Sequence, residues 1–231
     1  MDELNSFLDD SIFSVGHAPP NGFIQNSAYP NSQTLFKKKQ QKFVRELKTR
    51  DEDVIDQVYS LRDVEEEPYT ICRWLRATKF DAEKILQRLE DNKGMWAIAK
   101  ANQFYPDVSE AIGAPFSVFL SQYPFLAIGR AKNGCPVNYF QAGRIQPEGI
   151  LCLATVENTI GYFWHSFMYD FKDEIRKSKA ENPNFVRCEG INIIDLKELS
   201  ASKMSSDTMD MIKLASKIAD FFPEVSNKMI Y

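Results

Sequence analysis

Apolar and polar positions along the 231-residue chain fall into three successive patterns. Residues 1 to about 33 sustain no period and are rich in Asn, Ser, Pro and Gly (HAPPNGFIQNSAYPNSQ), so a disordered or loosely attached leader is expected. Within it Leu4, Phe7, Leu8 and Ile12 fall at helical spacing, which allows one short amphipathic turn. Residues 34–106 then read as a helical unit. LFKKKQQKFVRELKTR (Leu35 to Arg50) carries Phe36, Phe43, Val44 and Leu47 as a sparse apolar stripe. Asp51 to Leu61 and Glu67 to Leu75 predict two short helices, with Pro68 suited to a first turn. Asp81 is an N-cap candidate for a long helix to Phe104, with Ile85, Leu89, Met95, Trp96 and Ala99 partly in phase, and Pro106 closes it.

The third pattern, residues 107–231, mixes the two periods. Phe125 to Arg130 and Pro136 to Phe140 are apolar runs separated by Lys132-Asn133-Gly134, a strong hairpin signal. Val156, Ile160, Phe163, Phe167, Phe171 and Ile175 recur at three- and four-residue steps, predicting one helix from about Pro147 to Lys179. Gly190 to Leu196 (GINIIDL) predicts a strand apolar enough to be buried on both faces. A helix from about Ser205 to Phe221 and a strand from Lys228 complete an α/β arrangement with at least one right-handed crossover.

Composition narrows the function. The formal net charge of −4 argues against a nucleic-acid partner, because such domains carry a basic excess. The most basic stretch is Lys37, Lys38, Lys39, Lys42, Arg45, Lys48 and Arg50; such a helix can lie on an anionic membrane or simply be a solvated face, and the solvated face is favoured. Cys72, Cys135, Cys152 and Cys188 include no Cys-x-x-Cys pair, so no metal site is expected. The acidic N-terminus lacks an apolar signal core and no run is long enough to span a bilayer, which predicts a reduced, cytoplasmic chain. With His17 and His165 the only histidines, and no Gly-x-Ser-x-Gly, phosphate-loop or His-Glu-x-x-His pattern, no enzyme, catalytic residue or cofactor is expected. The 17 Phe residues fit either a well-filled core or a cavity lined for an apolar ligand.

Four segments together resemble the Sec14-like (CRAL-TRIO) lipid-binding proteins. YTICRWLRATKFDAEKILQRLEDNKGMW resembles the family's N-terminal helical unit, with Leu75, Arg76, Ala77, Lys79, Phe80, Asp81 and Trp96 in place. KNGCPVNYFQAGRI resembles its Asp-Gly-Arg-Pro-Val strand, with Asn133 for Asp and Cys135 for Arg. INIIDLKELS resembles its central Asp-Leu-x-Gly strand, with Glu198 replacing the Gly. FFPEVSNKMIY resembles the Tyr-Pro-Glu corner, with Phe222, Pro223 and Glu224 in register.

The resemblance implies a mostly parallel sheet flanked by helices, residues 34–106 as the N-terminal unit and 107–231 as a partial CRAL-TRIO domain. The family's remaining strands, gate helix and basic headgroup residue would lie beyond Tyr231, so the domain is expected to be incomplete at its C-terminus. The implied function is binding of one lipid or other hydrophobic molecule, such as a phospholipid, phosphoinositide or isoprenoid-type lipid. Transfer between membranes through transient surface contact is one use of that binding. The alternative is a lipid-sensing recruitment or protein-interaction module that moves no cargo.

The lipid-binding residues implied are Tyr139, Phe163, Phe167, Asn192 and Glu224. Glu224 stands where the family's corner glutamate engages an inositol headgroup, and Asn192 where it presents a hydroxyl to phosphate. Gly190 has no side chain for the companion hydroxyl position. Phe163 and Phe167 belong to an aromatic helix expected to wall the cavity, although core packing is the alternative for most of that helix. Asp195 is expected to cap a loop rather than touch ligand.

Overall fold

The computed structural model describes residues 32–132, 134–183, 185, 190–223 and 226–230. The leader, its His17, the turn residue Asn133, Cys188 and the corner Glu224 lie outside the described residues.

Four helices open the described chain: α1 (Ser32–Leu47), α2 (Glu52–Val58), α3 (Glu67–Ala77) and α4 (Ala82–Ala101). Their starts are set locally. The Asp51 carboxylate accepts the Val54 amide at 3.2 Å, Asp81 does the same for Lys84, and Pro68 occupies the first turn of α3. The apolar stripes converge on one core in which Phe43, Leu47, Val54, Val58, Ile71, Trp74, Leu75, Ile85 and Leu89 are buried. One charged pair is buried with them. Arg73 and Glu65, with side chains 4% and 2% exposed, meet through Nη2–Oε1 at 2.6 Å and Nε–Oε2 at 2.8 Å. This fork fixes the segment between α2 and α3 onto α3.

The remaining elements are α5 (Val108–Ile112), α6 (Phe116–Gln122), β1 (Phe125–Arg130), β2 (Pro136–Gln141), α7 (Pro147–Leu153), α8 (Val156–His165), α9 (Phe171–Glu181), β3 (Gly190–Asp195), α10 (Ser206–Ala219) and β4 (Ser226–Ile230). The sheet order is β1-β2-β3-β4. β1 and β2 form the antiparallel hairpin, while β2–β3 and β3–β4 are parallel. Parallel neighbours need crossovers. Helices α7 to α9 supply the first, and α10 supplies the second. This mixed helix-and-sheet arrangement is compatible with the α/β expectation.

Two expectations are corrected. The helix expected from Pro147 to Lys179 is interrupted at Ala154, whose backbone is extended (φ −145°, ψ 148°), and Thr155 restarts it by accepting the Asn158 amide. Threonine as a cap outweighs the continuous apolar stripe here. A π-helical turn, Ser166–Asp170, then separates α8 from α9. On either side of its start, His165 Nδ1 lies 2.8 Å from the Tyr105 carbonyl and the Tyr169 hydroxyl donates to the Gln103 carbonyl at 2.7 Å. Both bonds reach the left-handed corner Gln103–Phe104–Tyr105 that ends α4. Strand β3, expected to be buried on both faces, is buried only at Gly190 and Ile191; Asn192 to Asp195 are half-buried.

Strand register divides the sheet into two faces. Asn138 and Phe140 share one face with Asn192, their partner side chains alternating away from Val137, Tyr139, Ile191 and Ile193. Phe140 packs toward α6, α8 and α10, whereas Val137 and Ile191 form a small cluster with Ala131 on the other side. Between sheet and leading helices, Trp164 contacts Trp96 (ring centroids 5.8 Å) and Phe221 (4.8 Å), joining α4, α8 and the end of α10 in one aromatic core. Among the described residues no helix is long and apolar enough to cross a membrane.

Candidate functional site

The site begins at the end of α6. Tyr123 precedes Pro124, which disfavours helical backbone at Tyr123, and the helix stops at Gln122. The Tyr123 amide still donates to the Phe119 carbonyl at 2.9 Å, and its own carbonyl accepts the Phe125 amide at 2.8 Å. The chain thus turns directly into β1 while Phe119 and Tyr123 remain stacked, 5.8 Å between centroids. Phe140 on β2 approaches Tyr123 at 5.1 Å, and Phe163 on α8 meets it edge-on at 6.2 Å.

Helix α10 closes the opposite side. Thr208, Met211, Ile212 and Ala215 of this helix and Met204 just before it line the same cavity, together with Ile150 of α7. Together they enclose an apolar cavity of about 180 Å³. Leu199, Met204 and Ile212 line the cavity and are also 40%, 42% and 45% exposed, so it opens between the segment after β3 and α10. That segment is seated closely: a Cβ at Gly143 would stand 1.6 Å from the Lys197 carbonyl oxygen. The Lys203 amine donates to the Gly143 carbonyl beside it.

Polar groups in the lining are few. Thr159 donates to the Val156 carbonyl at 2.5 Å, and the Thr208 hydroxyl is 3.0 Å from that of Ser205. The Tyr123 hydroxyl is pushed up to about 12 by burial alone. No Lys, Arg, His, Asp or Glu is among the described lining residues.

No family model matches the chain. It is similar to the phosphatidylinositol/phosphatidylcholine transfer protein SFH9 of Arabidopsis thaliana. The two are 24% identical over 162 residues, covering 70% of this chain and 27% of that protein. The chain therefore spans about a quarter of the length of the curated relative it matches. This likeness supports a distant Sec14-like relationship.

The structure places the residues named from the sequence in different surroundings. Phe163 lines the cavity. One turn on, Phe167 has passed beyond it and stacks on Phe222, with centroids 4.6 Å apart and rings 11° from parallel. Tyr139 lies on the other sheet face from Phe140 and donates to the Asp195 carboxylate at 2.6 Å. Asp195 also accepts the Lys197 amide at 2.9 Å, the loop cap expected of it. Asn192 accepts from the Asn138 amide group at 3.1 Å, a bond across the two strands.

Residues not singled out from the sequence make up most of the lining. The spacing of Met204, Thr208, Met211 and Ala215 is visible in the chain as a helical face. The role of Phe119 and Tyr123 is not, because it depends on the corner at Pro124 folding back over β2. His165, the one described histidine, is held by the Tyr105 carbonyl and lies 3.6 Å from Asp170 through Nε2. Among the described residues no group of three or more His, Cys, Asp or Glu side chains is placed to hold a metal.

Proposed function

We propose that this chain binds one lipid or other hydrophobic small molecule in the cavity between β2 and α10, as a non-enzymatic carrier or sensor. The observation that carries this is an open cavity walled by Phe119, Tyr123, Phe140, Phe163 and Met211 with no charged lining group. Lipid hydrocarbon gains about 0.8 kcal/mol for each methylene removed from water, and apolar walls give it no competing polar partner. The finer assignment is a CRAL-TRIO-like fold, with residues 34–106 as its helical unit and 107–231 as part of its lipid domain.

Phosphoinositide or phospholipid transfer between membranes, by a cytoplasmic protein in transient contact with their surfaces, is the use that the likeness to a transfer protein supports. A volume of about 180 Å³ lies below the roughly 300–1,000 Å³ of ordinary ligand pockets. The site therefore houses part of a phospholipid, whose headgroup projects through the mouth beside Leu199 and Met204. Asn192 and Glu224 remain proposed headgroup contacts, and Phe167 and Tyr139 supporting positions around the site.

A second use, membrane recruitment without transfer, is favoured by α1, where Lys37, Lys38, Lys42 and Arg45 are exposed, and by Lys48 just after it, exposed as well. The test is native mass spectrometry of the purified chain, followed by extraction of labelled lipid from vesicles across a salt series. A co-purifying apolar ligand and salt-resistant extraction support the carrier. Vesicle binding that collapses with salt, without extraction, supports recruitment. Repeated preparations with no bound lipid and no vesicle interaction overturn both.

A further inference from the structure

Given the membrane contact proposed above, on which this step rests, one surface is set apart by its charge. We infer that the exposed face of α1 is the membrane-docking surface, and that it senses the charge density of an anionic leaflet rather than any one headgroup.

Lys37 to Arg50 holds seven cations and one carboxylate, so a chain of net charge −4 divides into +6 there and −10 elsewhere. Helical turns of about 3.6 residues bring Lys37, Lys38, Gln41, Lys42, Arg45 and Lys48 into an arc of about 140°, spread over about 16 Å of axis. All six are exposed. Between Lys37 and Lys48 that arc contains no carboxylate and no apolar residue. On the opposite side Phe43 and Leu47 are buried in the core of α1 to α4, so packing fixes which face meets water. Among the described residues, Lys37, Lys38, Arg45 and Lys48 have no ion-pair partner. Lys42 meets Glu46, at the rim of the arc, only at 3.6 Å. The two remaining cations are engaged off the arc. Lys39 lies 5.7 Å from the centroid of the Phe80 ring, and Arg50 lies 3.5 Å from Glu90.

These features suit a plane of negative charge. A convex arc with no apolar side chain offers an acidic peptide no buried anchor. It has no aromatic ring on which single-stranded bases could stack. A bilayer surface needs neither, because basic segments are attracted by the leaflet's potential within a Debye length. The −10 on the rest of the chain is repelled by the same leaflet, so the molecule is turned with α1 toward it. With nothing apolar to insert, the contact stays at the level of the headgroups and weakens with salt.

The experiment measures co-sedimentation of the 231-residue chain with phosphatidylcholine vesicles, alone or with phosphatidylserine or phosphatidylinositol at equal mole fraction. Two double variants remove the same charge from different places: Lys38→Gln/Arg45→Gln on α1, and Lys177→Gln/Lys213→Gln on α9 and α10, where both lysines are exposed. The α1 variant is expected to bind anionic vesicles about ten- to thirty-fold more weakly than the native chain. The other variant should stay within about two-fold of it, and serine and inositol lipids should bind the native chain alike. Matching melting curves show that all three proteins are folded. Equal loss in the two variants, or none in the α1 variant, overturns the assignment of α1. Binding to inositol but not serine lipid overturns the charge-density reading in favour of a headgroup site. Tighter binding to a single-stranded RNA homopolymer than to serine-lipid vesicles at equal salt gives the face to nucleic acid instead. If the native chain binds no anionic vesicle even at low salt, the membrane contact itself falls, whereas a lipid co-purifying in the cavity would still stand.

Discussion

The Tyr139 hydroxyl reaches across two parallel strands to the Asp195 carboxylate at 2.6 Å, on the sheet face that turns away from the cavity. The bond holds Asp195 below the ordinary carboxylate value of 3.8, with the Lys197 amide second, and it raises Tyr139 above the ordinary 10.0. Stability from the depressed carboxylate is present above pH 3.8 and lost as pH falls through its folded value. Stability from the raised phenol is present below pH 10.0 and lost as pH rises through its folded value. Tyr139→Phe is therefore expected to destabilise the fold by about 0.5–1 kcal/mol between those limits, the low end because both groups are solvent-screened. Denaturant titrations at acid, neutral and alkaline pH check this: the difference from the native chain should shrink at both extremes. Loss of ligand binding with unchanged stability would instead make Tyr139 a contact residue.

Arg73 and Glu65 are almost fully removed from solvent and neutralise one another. Removing one partner leaves a buried charge, so Glu65→Gln or Arg73→Met is expected to cost about 3–5 kcal/mol. Replacing both by apolar residues of similar volume should recover most of that loss. Urea unfolding of the two single variants and the double variant completes the cycle, and single variants as stable as the native chain would mean the pair is open to water.

Gly143 holds the cavity mouth together because only a residue without Cβ lets the Lys197 carbonyl approach so closely. Ala142 and Ile145 on one side of this contact, and Leu199 on the other, all line the cavity. Gly143→Ala must push the segment after β3 outward, at a cost of about 1–3 kcal/mol. Binding of an apolar probe should weaken with it, while the core of α1 to α4 is untouched. Methyl NMR of Met204, next to Lys203 and its bond to Gly143, follows the displacement; an unchanged signal would show that the loop absorbs the methyl elsewhere.

Element types were legible in the chain wherever local chemistry and periodicity agreed: Asp51, Pro68 and Asp81 mark helix starts, and the two apolar runs around Lys132 to Gly134 mark the hairpin. The helix from Pro147 misled because its apolar spacing continues through Ala154 and Thr155, and a capping hydroxyl breaks it without disturbing the stripe. The candidate site was less legible. An aromatic helix supplies both Phe163, at the cavity, and Phe167, in a filled stack with Phe222. Spacing alone cannot separate the two, because both lie on one face and only the end of α10 decides which is covered. Tyr123 and Phe140 meet through a corner and a strand register, long-range facts that no local window contains.

Ala215 offers the most direct trial of the cavity. It is the smallest side chain that α10 presents to the lining, opposite space that Phe163 and Met211 leave open. Ala215→Phe places a ring into that space rather than into packed core. Overpacking of a filled interior typically costs about 1–3 kcal/mol, whereas filling a void regains contacts the lining otherwise lacks. The variant is therefore expected to keep or raise its Tm while binding of hexane or hexan-1-ol falls by at least about ten-fold, since a guest would now have to displace protein. Calorimetric melting and the methyl NMR titration measure the two effects on one sample. A melting temperature that drops sharply would mean the region is already close-packed, and undiminished probe binding would place the ligand somewhere other than between β2 and α10.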